Sequence, residues 1–279
     1  MKLLTFALLI AFVSSPSAGV LKEISTSSTY DDNVFGSAAG TSDYITEISV
    51  YVANRFTDPR SATRIYYSGS GYLFVRSTDR LFSVHGLGLT YARRIGGQKN
   101  MLYAGASFRL RVNRDIYEIY DYNGFNAYLS GKWYALKNFI LVSRYSLNTR
   151  SYWNLGDESY TDHNFSFRAT KSLASGTTLR GDAAYGHKTH FGSESQVLLG
   201  GQMAQSLMPG VGLSVRYQRR LNVQAPSFTS EDLRYLDEDI LVDRYDYGGH
   251  ELTARLTWLF PIGVKMVIEA GQETQHYHG

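Results

Sequence analysis

Apolar and polar residues alternate with a period of two along most of the chain after residue 20. From residue 102 to residue 112 every even position is apolar, whereas the odd positions carry Tyr, Gly, Ser and Arg. The same alternation appears over 125–136, 211–218 and 251–258. Successive side chains of a strand point to opposite faces, whereas a helix repeats its apolar positions about every 3.6 residues. The pattern therefore predicts an all-β chain whose strands carry one apolar and one polar face.

The alternation predicts strands that follow one another as an antiparallel meander. Short connections alternate with longer ones at 31–42, 114–124, 150–162 and 222–249, and the short link at 77–80 is the exception. Every Pro after the first twenty residues lies in a connection, as expected because Pro cannot donate to a strand ladder. The predicted strands are a weak one at 21–30 and others at 43–56, 63–76, 81–94, 101–113, 125–136, 139–149, 163–171, 178–187, 196–206, 211–221, 250–260 and 264–272.

Two architectures fit this pattern: a soluble β-protein with its apolar face inside, and a membrane barrel with its apolar face against lipid. Many predicted strands have about ten to fourteen residues, against five to six in soluble sheets and about nine to eleven for crossing a bilayer. Alternating short and long connections are typical of outer-membrane barrels. We therefore predict an antiparallel up-and-down transmembrane β-barrel of about 12–14 strands, with the soluble β-protein as the alternative.

Aromatic residues near the predicted strand ends favour the barrel, because membrane barrels carry aromatic girdles at both interfaces. A barrel also has a physical cause, since every backbone N–H and C=O in hydrocarbon needs a partner and a closed sheet has no edge. The candidate girdle residues are Tyr44, Phe56, Tyr91, Phe125, Trp133, Tyr134, Phe139, Trp258 and Phe260.

The N-terminal residues have the pattern of a secretory signal peptide. Met1 and Lys2 form a basic start, residues 3–13 are apolar, and small residues with one Pro follow at 14–19. A helix of eleven residues spans only about 16 Å, too short for a bilayer core. We therefore predict a signal peptide at 1–19 and an exported β-barrel domain at 20–279.

Composition excludes several classes of function. The chain contains no Cys, which excludes disulfides, thiolate metal sites and a Cys nucleophile. The only long apolar run is N-terminal, so a bundle of membrane-spanning helices is excluded. The net charge of +3 is too small to indicate a nucleic-acid partner, and none is expected.

One short segment resembles a known family. Tyr30 closes the weak first strand and is followed by Asp31-Asp32-Asn33-Val34-Phe35, and Ser42-Asp43-Tyr44-Ile45 opens the next strand. This resembles the bacterial β-barrel porins and related outer-membrane β-barrel proteins. The specific likeness covers about residues 28–50, and the general meander covers the rest. It implies an outer-membrane, channel-like barrel without a cofactor or known chemistry.

The C-terminus departs from that family. Such barrels usually end on a strand closing with Phe or Trp, whereas this chain ends Gln275-His276-Tyr277-His278-Gly279. Counting the weak first strand also leads to an odd number of strands. A missing closing strand, a miscounted strand or an atypical closure would each explain these departures.

If the apolar face meets lipid, the other face lines a lumen, and that face is rich in bases. An excess of Arg and Lys lowers the energy of anions and raises that of cations in a pore. We therefore expect a weak anion preference, unless these bases mainly pair with acids and Tyr hydroxyls and fill a narrow barrel. The predicted lumen-lining bases are Arg64, Arg109, Arg111, Lys132, Arg144, Arg168, Arg180 and Arg216, followed by Arg255 and Lys265, and the acids on the same face are Glu47, Asp182, Glu251 and Glu269.

Motifs for catalysis or metal binding are weak. Nucleophile-elbow and phosphate-binding-loop motifs are absent. The pairs His187/His190 and His276/His278 could bind a metal, but we expect surface histidines and no metal site. Asp162 and His163, near Asp157 and Ser166, are the residue types that a hydrolase site at the rim of a barrel would use. Their spacing does not place a nucleophile next to a base. We therefore expect neither catalytic residues nor a cofactor.

The connection at 222–249 is acidic and has two interpretations. Its carboxylates could bridge divalent cations or lipopolysaccharide, but the run Asp237-Glu238-Asp239 lacks the Gly and terminal Glu of an EF-hand loop. We expect a solvated outer loop.

Together these features lead us to expect a passive, porin-like channel in the bacterial outer membrane for small, weakly anion-preferring solutes. Its expected partners are outer-membrane lipid, lipopolysaccharide and small solutes. The alternatives are a structural or polysaccharide-export accessory barrel with a plugged lumen and, less favoured, an outer-membrane hydrolase. The sequence does not indicate an oligomeric state.

Overall fold

A computed structural model describes residues 19–31, 42–96, 99–190, 192–224 and 247–277. They form one all-β sheet of thirteen antiparallel strands, ordered along the sheet as they are along the chain. This confirms the predicted up-and-down meander. The strands are β1 (Gly19–Asp31), β2 (Asp43–Asp58), β3 (Ser61–Phe74), β4 (Phe82–Arg94), β5 (Met101–Asn113), β6 (Tyr122–Leu136), β7 (Phe139–Tyr152), β8 (Tyr160–Ser172), β9 (Thr177–His190), β10 (Gly192–Met208), β11 (Val211–Gln224), β12 (Tyr247–Leu259) and β13 (Lys265–Tyr277).

Most strand bounds agree with the sequence pattern, although β13 continues to Tyr277, five residues beyond the predicted 272. The connection whose length differs most from the prediction is the one between β9 and β10. These strands continue to His190 and begin again at Gly192, whereas the pattern ended at 187 and resumed at 196. Polar residues occupy both faces here, with Lys188 and Glu194 paired across the ladder. The alternation of apolar and polar positions is therefore lost although the hydrogen-bonded ladder continues.

The two ends of the sheet differ in how the strands are joined. Tight turns at one end, here called the short-turn end, use left-handed residues such as Asn138 (φ 59°) and Gly210 (φ 80°). A Cβ on Gly210 would lie 2.6 Å from the carbonyl oxygen of Leu259, so a side chain has no room there. The opposite, long-connection end carries 3₁₀ turns at Thr78–Arg80, Asp115–Tyr120 and Gly156–Glu158.

Asp43, at the start of β2, ties the connection after β3 to the long-connection end. It is fully buried. One carboxylate oxygen accepts hydrogen bonds from the backbone N–H groups of Tyr44, Val75 and Arg76 at 2.7, 3.1 and 2.9 Å. The other accepts one from the N–H of Ser77 at 2.7 Å. Four backbone donors are thus satisfied by a single side chain.

Burial on the two faces of the sheet is the reverse of that in a soluble protein: the apolar face is exposed and the polar face holds the buried side chains. On the apolar face, which holds the even-numbered residues of β5, large side chains such as Phe108 (47% exposed), Leu129 (51%) and Phe165 (52%) are exposed. The opposite, polar face holds almost all the buried side chains, including Arg111 (8%) and Lys188 (3%). Side chains crowd together on the inside of a curved sheet and spread apart on its outside. The polar face is therefore the concave one.

Most candidate girdle residues lie on the apolar face, but Tyr134 does not. The ladder is irregular between Trp133 and Leu136, so the contacts of Tyr134 decide its side, and they place it on the polar face with Lys132. There its ring lies 5.2 Å from the ammonium of Lys132 and 5.9 Å from that of Lys99. Tyr134 therefore belongs to the polar face and not to a girdle.

The sheet ends at β1 and β13, which run in the same direction. The described residues show no ladder between these two strands, and residues 20–30 of β1 are all exposed. In the same part of the chain, no helix has the length and apolarity needed to span a membrane. The predicted signal segment before residue 19, most of the family-like segment at 31–35 and the acidic run at 237–239 lie outside the described residues.

Candidate functional site on the polar face

The structure brings the predicted basic residues onto one face. The ladder places Arg168 opposite Asp182, and it places both Arg180 and Arg216 opposite Gln202. Following the ladders strand by strand puts the other predicted bases and acids on this same polar face. They are Arg64, Arg109, Arg111, Lys132, Arg144, Arg255 and Lys265, with Glu47, Glu251 and Glu269.

Some of these bases pair with acids. Asp182 accepts from Arg168 Nε at 2.6 Å with one oxygen and from Arg180 Nε at 2.7 Å with the other. The two guanidinium groups hold the carboxylate between them, and they lower its cost of partial burial. Arg255 and Glu269 form a second pair at 3.0 Å, in which both side chains are about half exposed.

Three bases form no ion pair with a described residue. Among the described residues, no carboxylate lies within ion-pair distance of Arg64, Arg109 or Arg144, and all three are exposed. Arg144 lies 4.6 Å from the centre of the Tyr128 ring. Arg55, which the sequence reading missed, stands directly across the ladder from Arg64, so two positive charges are adjacent. This part of the polar face carries uncompensated positive charge.

Two tyrosine rings in this region lie against the backbone of the sheet. A Cβ on Gly88 would be 2.4 Å from the ring of Tyr66, and one on Gly105 would be 2.5 Å from the ring of Tyr128. Each Tyr therefore lies over a glycine of the neighbouring strand, where a larger residue would push the ring away. The rings cover backbone and leave the arginines exposed.

Toward the long-connection end the bases are enclosed by aromatic rings. The guanidinium of Arg111 lies 4.2 Å from the centre of the Phe82 ring, and Phe82 stacks on Tyr72 at 4.5 Å. Beside it, Asn113 donates from its backbone N–H and from Nδ2 to one oxygen of Asp121, at 2.6 and 2.9 Å. Asp121 thus joins the connection before β6 to the sheet.

Arg150 is at the centre of this enclosed region. Its guanidinium lies 4.5 Å from the ring of Tyr122 and 5.5 Å from that of Tyr160, and Nη1 donates to the hydroxyl of Tyr152 at 3.2 Å. Tyr122 and Tyr152 meet edge to face at 5.4 Å. All three Tyr side chains are buried, so Arg150 contributes packing as well as charge.

A second cation extends the region to β9. Lys188 Nζ lies 4.5 Å from the ring of Tyr160, and His190 Nε2 lies 3.2 Å from a carboxylate oxygen of Glu158, in the 3₁₀ turn before β8. The sequence reading missed Arg150 and Lys188 because the predicted strands stopped at 149 and 187. At both strand ends polar residues occupy both faces, so no alternation signal marks these two positions.

The residues considered for catalysis or metal binding are not brought together. Asp162 faces Lys188 on the polar face, whereas His163 faces His187 on the apolar face. His187 and His190 also lie on opposite faces, because they are three residues apart on one strand. Within the described ranges, no group of three or more His, Asp or Glu side chains is placed to hold a metal ion.

Comparison with known proteins shows only distant structural similarity. No family model and no curated protein matches the chain. Among solved structures, the chain is similar to BamA from Haemophilus ducreyi lacking POTRA domains 1–3, with 9% identity, a TM-score of 0.44, and coverage of 94% of this chain and 67% of that one. It is also similar to OpdL from Pseudomonas aeruginosa, with 12% identity, a TM-score of 0.29, and coverage of 92% of this chain and 94% of that one.

Proposed function

We propose that this chain is an integral β-barrel of the bacterial outer membrane and acts as a passive, porin-like channel for small solutes, with a weak preference for anions. The observation that carries the proposal is the reversed burial of the two faces. Large apolar side chains such as Phe108, Leu129 and Phe165 are exposed along one face, while the most deeply buried bases, Arg111 and Lys188, lie on the other. Lipid is the solvent in which that arrangement is favourable.

The alternative of a soluble β-protein conflicts with the same observation. In a soluble sandwich the apolar face packs against a second sheet, but this sheet has no second layer within the described residues. Soluble monomers rarely expose contiguous apolar patches beyond a few hundred Å². Acyl chains would cover this face without any further protein.

A sheet in hydrocarbon cannot keep free edges, because each unpaired backbone group costs several kcal/mol. The proposal therefore requires β1 and β13 to be paired in the membrane. Since both strands run from the short-turn end to the long-connection end, their direct pairing would be parallel. The absence of Cys in the chain makes this testable by a disulfide between cysteines placed one on each strand.

The anion preference rests on the uncompensated bases. Arg64, Arg109 and Arg144 are exposed on the polar face and form no ion pair in the described part of the chain. In a water-filled lumen they would attract anions and repel cations. The proposal includes no catalytic step and no cofactor.

A second candidate function is a structural or export-accessory barrel whose lumen is plugged. The observation that favours it is the enclosed region around Arg150, where Tyr122, Tyr152 and Tyr160 are buried on the concave face. Such packing narrows any lumen near the long-connection end. The conductance experiment below decides between the two candidates.

Adjacent cysteines test the orientation of the faces. Ala106 lies on the apolar face and Ser107 on the polar face, and both are small. In lipid vesicles, a water-soluble maleimide should label Ser107→Cys, whereas Ala106→Cys should react only with a lipid-soluble maleimide. Equally fast labelling of Ala106→Cys by the water-soluble reagent would overturn the membrane proposal.

Planar-bilayer recording tests the channel. We expect a steady current, and under a KCl gradient a reversal potential of the sign set by anions. The triple variant Arg64→Gln/Arg109→Gln/Arg144→Gln should lose that preference. The matched control Lys22→Gln/Arg93→Gln/Lys171→Gln removes three bases from the apolar face and should leave the potential unchanged. A silent bilayer would support the plugged barrel, and a cation-selective current would overturn the anion preference.

A further inference from the structure

Tyr and His side chains recur in one arrangement on the apolar face. In the hairpins β3–β4, β7–β8 and β11–β12, a Tyr stands across the ladder from an apolar residue of the next strand. In each hairpin a His lies two residues from that apolar residue, toward the long-connection end. The pairs are Tyr67–His85, Tyr145–His163 and Tyr217–His250.

Two of the three pairs share the same hydrogen-bonded geometry, and the third shares the ring placement. The hydroxyl of Tyr67 lies 2.8 Å from Nδ1 of His85, and that of Tyr145 lies 2.8 Å from Nδ1 of His163. Both pairs are 18 residues apart in sequence, and both have ring centres 6.2 Å apart. In the third pair the rings of Tyr217 and His250 stack at 6.5 Å. Because the pairs recur on every second hairpin, we infer that they lie at the same level along the strands and face the same environment.

A fourth imidazole continues this series on β9. His187 stands directly across the ladder from His163. Its Nδ1 lies 2.8 Å from the hydroxyl of Ser195, which is 3.3 Å from the hydroxyl of Tyr185. We call these four histidines, with Tyr67, Tyr145, Tyr185 and Tyr217, the Tyr–His collar.

The collar lies at a chemical boundary. On its short-turn side the apolar face carries residues such as Leu87, Phe165 and Leu252. On its long-connection side the same face becomes mixed, with polar residues such as Ser83 and Thr161 beside apolar ones such as Val112. A boundary of this kind on a membrane barrel faces the headgroup region of one leaflet.

The collar is rich in hydrogen-bond donors. When a Tyr O–H donates to Nδ1, the neutral imidazole carries its hydrogen on Nε2, away from the Tyr. In His85 that nitrogen is 3.2 Å from the hydroxyl of Ser83. This hydroxyl can accept a hydrogen bond from Nε2 and donate its own hydrogen to a group outside the sheet. On the apolar face of the described strands the sole carboxylate is Asp58, at the short-turn end. No negative side chain of these strands therefore competes for the collar.

We propose that the Tyr–His collar binds the phosphate groups of lipid headgroups in the leaflet at the long-connection end. This inference rests on the proposed function, because it requires the apolar face to lie in a bilayer. Phosphate oxygens accept charge-assisted hydrogen bonds, about twice as strong as neutral ones. The donors are spread over separate hairpins next to residues that would contact acyl chains. This arrangement fits several lipids side by side and not one soluble phosphate in a pocket.

A pair of lipids that differ only by a phosphate tests the proposal. The folded full chain in neutral-pH detergent micelles is offered phosphatidic acid or the diacylglycerol with the same acyl chains, and retained lipid is counted by native mass spectrometry. We expect retention of phosphatidic acid only. The variant His85→Phe/His163→Phe/His250→Phe keeps the rings, removes the donors and should bind about tenfold less.

The control Leu87→Phe/Leu252→Phe adds rings at the same level and should retain phosphatidic acid like the natural sequence. The Tyr67→Phe/Tyr145→Phe variant removes the orienting hydroxyls but keeps the imidazoles, and it should lie between the two. An excess of inorganic phosphate should displace little lipid. Equal displacement by inorganic phosphate would overturn the assignment to headgroups.

Unchanged retention by the triple His variant would also overturn the collar, provided that the Ala106→Cys and Ser107→Cys labelling still shows a membrane-embedded barrel. In that case the proposed function stands. If the labelling pattern itself fails, the proposed function fails and the collar proposal fails with it.

Discussion

The two ends of the polar face use the same residue types in different ways. Toward the long-connection end, Lys188 is 3% and Arg111 is 8% exposed, and both contact aromatic rings. Toward the short-turn end, the side chain of Arg168 is 49% exposed although it pairs with Asp182. A base on this face is therefore a packing residue or a solvent-exposed charge according to its neighbours, not its type.

The connections explain the difference. Glu158 and Asp121 come from the longer connections and bond to His190 and Asn113 at the ends of β9 and β5. The tight turns at the other end are too short to fold back over the polar face. Enclosure at one end and exposure at the other thus follow from the alternation of connection lengths.

Truncating a ring in the enclosed region should have the largest effect. Tyr160 is 6% exposed and contacts Arg150 and Lys188, so Tyr160→Ala should reduce the free energy of unfolding by about 3–5 kcal/mol. Tyr103→Ala, at a half-buried position toward the short-turn end, should cost about 1–2 kcal/mol, because less apolar area is lost. Urea unfolding in detergent, followed by Trp fluorescence, measures both. Equal losses would remove the distinction between the two ends.

Asp43 should make the long-connection end sensitive to acid. β2 has 16 residues, and about nine to eleven suffice to cross a bilayer, so its first residue lies outside the proposed membrane-spanning segment. Burial opposes ionisation, but the hydrogen bonds from Arg76, Ser77 and Tyr44 outweigh it and lower the pKa of Asp43 from 3.8 to about 2.

Because this pKa is lower in the folded than in the unfolded chain, the stabilisation is complete above about pH 4 and is lost as the pH falls toward 2. Asp43→Asn cannot accept the Ser77 N–H with its amide nitrogen, and it should cost about 1–3 kcal/mol at neutral pH. It should also flatten the acid dependence of unfolding. Asp79→Asn, at an exposed position in the neighbouring 3₁₀ turn, is the control and should behave like the natural sequence.

Two arginines of β7 should have opposite effects on stability and on ion selectivity when each is replaced. Arg150→Gln removes a cation enclosed by three Tyr rings, so it should lower stability by about 2 kcal/mol and leave ion selectivity unchanged. Arg144→Gln, at an exposed position, should change stability by less than about 1 kcal/mol and shift the reversal potential toward cations. A selectivity change in Arg150→Gln alone would reverse the assignment of the two regions.

The smallest effect is expected at Asp182. Its replacement should shift the reversal potential in the direction opposite to that of Arg144→Gln. Asp182→Asn frees the charges of Arg168 and Arg180, so it should shift the reversal potential further toward anions. Loss of these partly exposed ion pairs should cost about 1 kcal/mol or less. Recording in low and high KCl provides the check, since screening should reduce the shift. A shift toward cations would contradict the charge argument.

The sequence predicts the strands well wherever its alternation is unbroken. β5 spans the predicted residues 101–113, and the ladders place the predicted bases together on one face, as the parity of their positions indicates. The prediction failed at strand ends, where His187 to His190 are polar on both faces and the period-two signal disappears. Arg150 and Lys188 were missed for that reason.

The alternation of single residues is a local property of the chain, so the sequence alone determined the all-β meander and which side chains share a face. The enclosure of Arg150 and Lys188, the bonding of Asp43 to residues 75–77 and the Tyr–His collar were decided by the tertiary structure. Each depends on ladder register or on how a connection folds back. These features join residues from different strands, whose distance in space no local pattern contains.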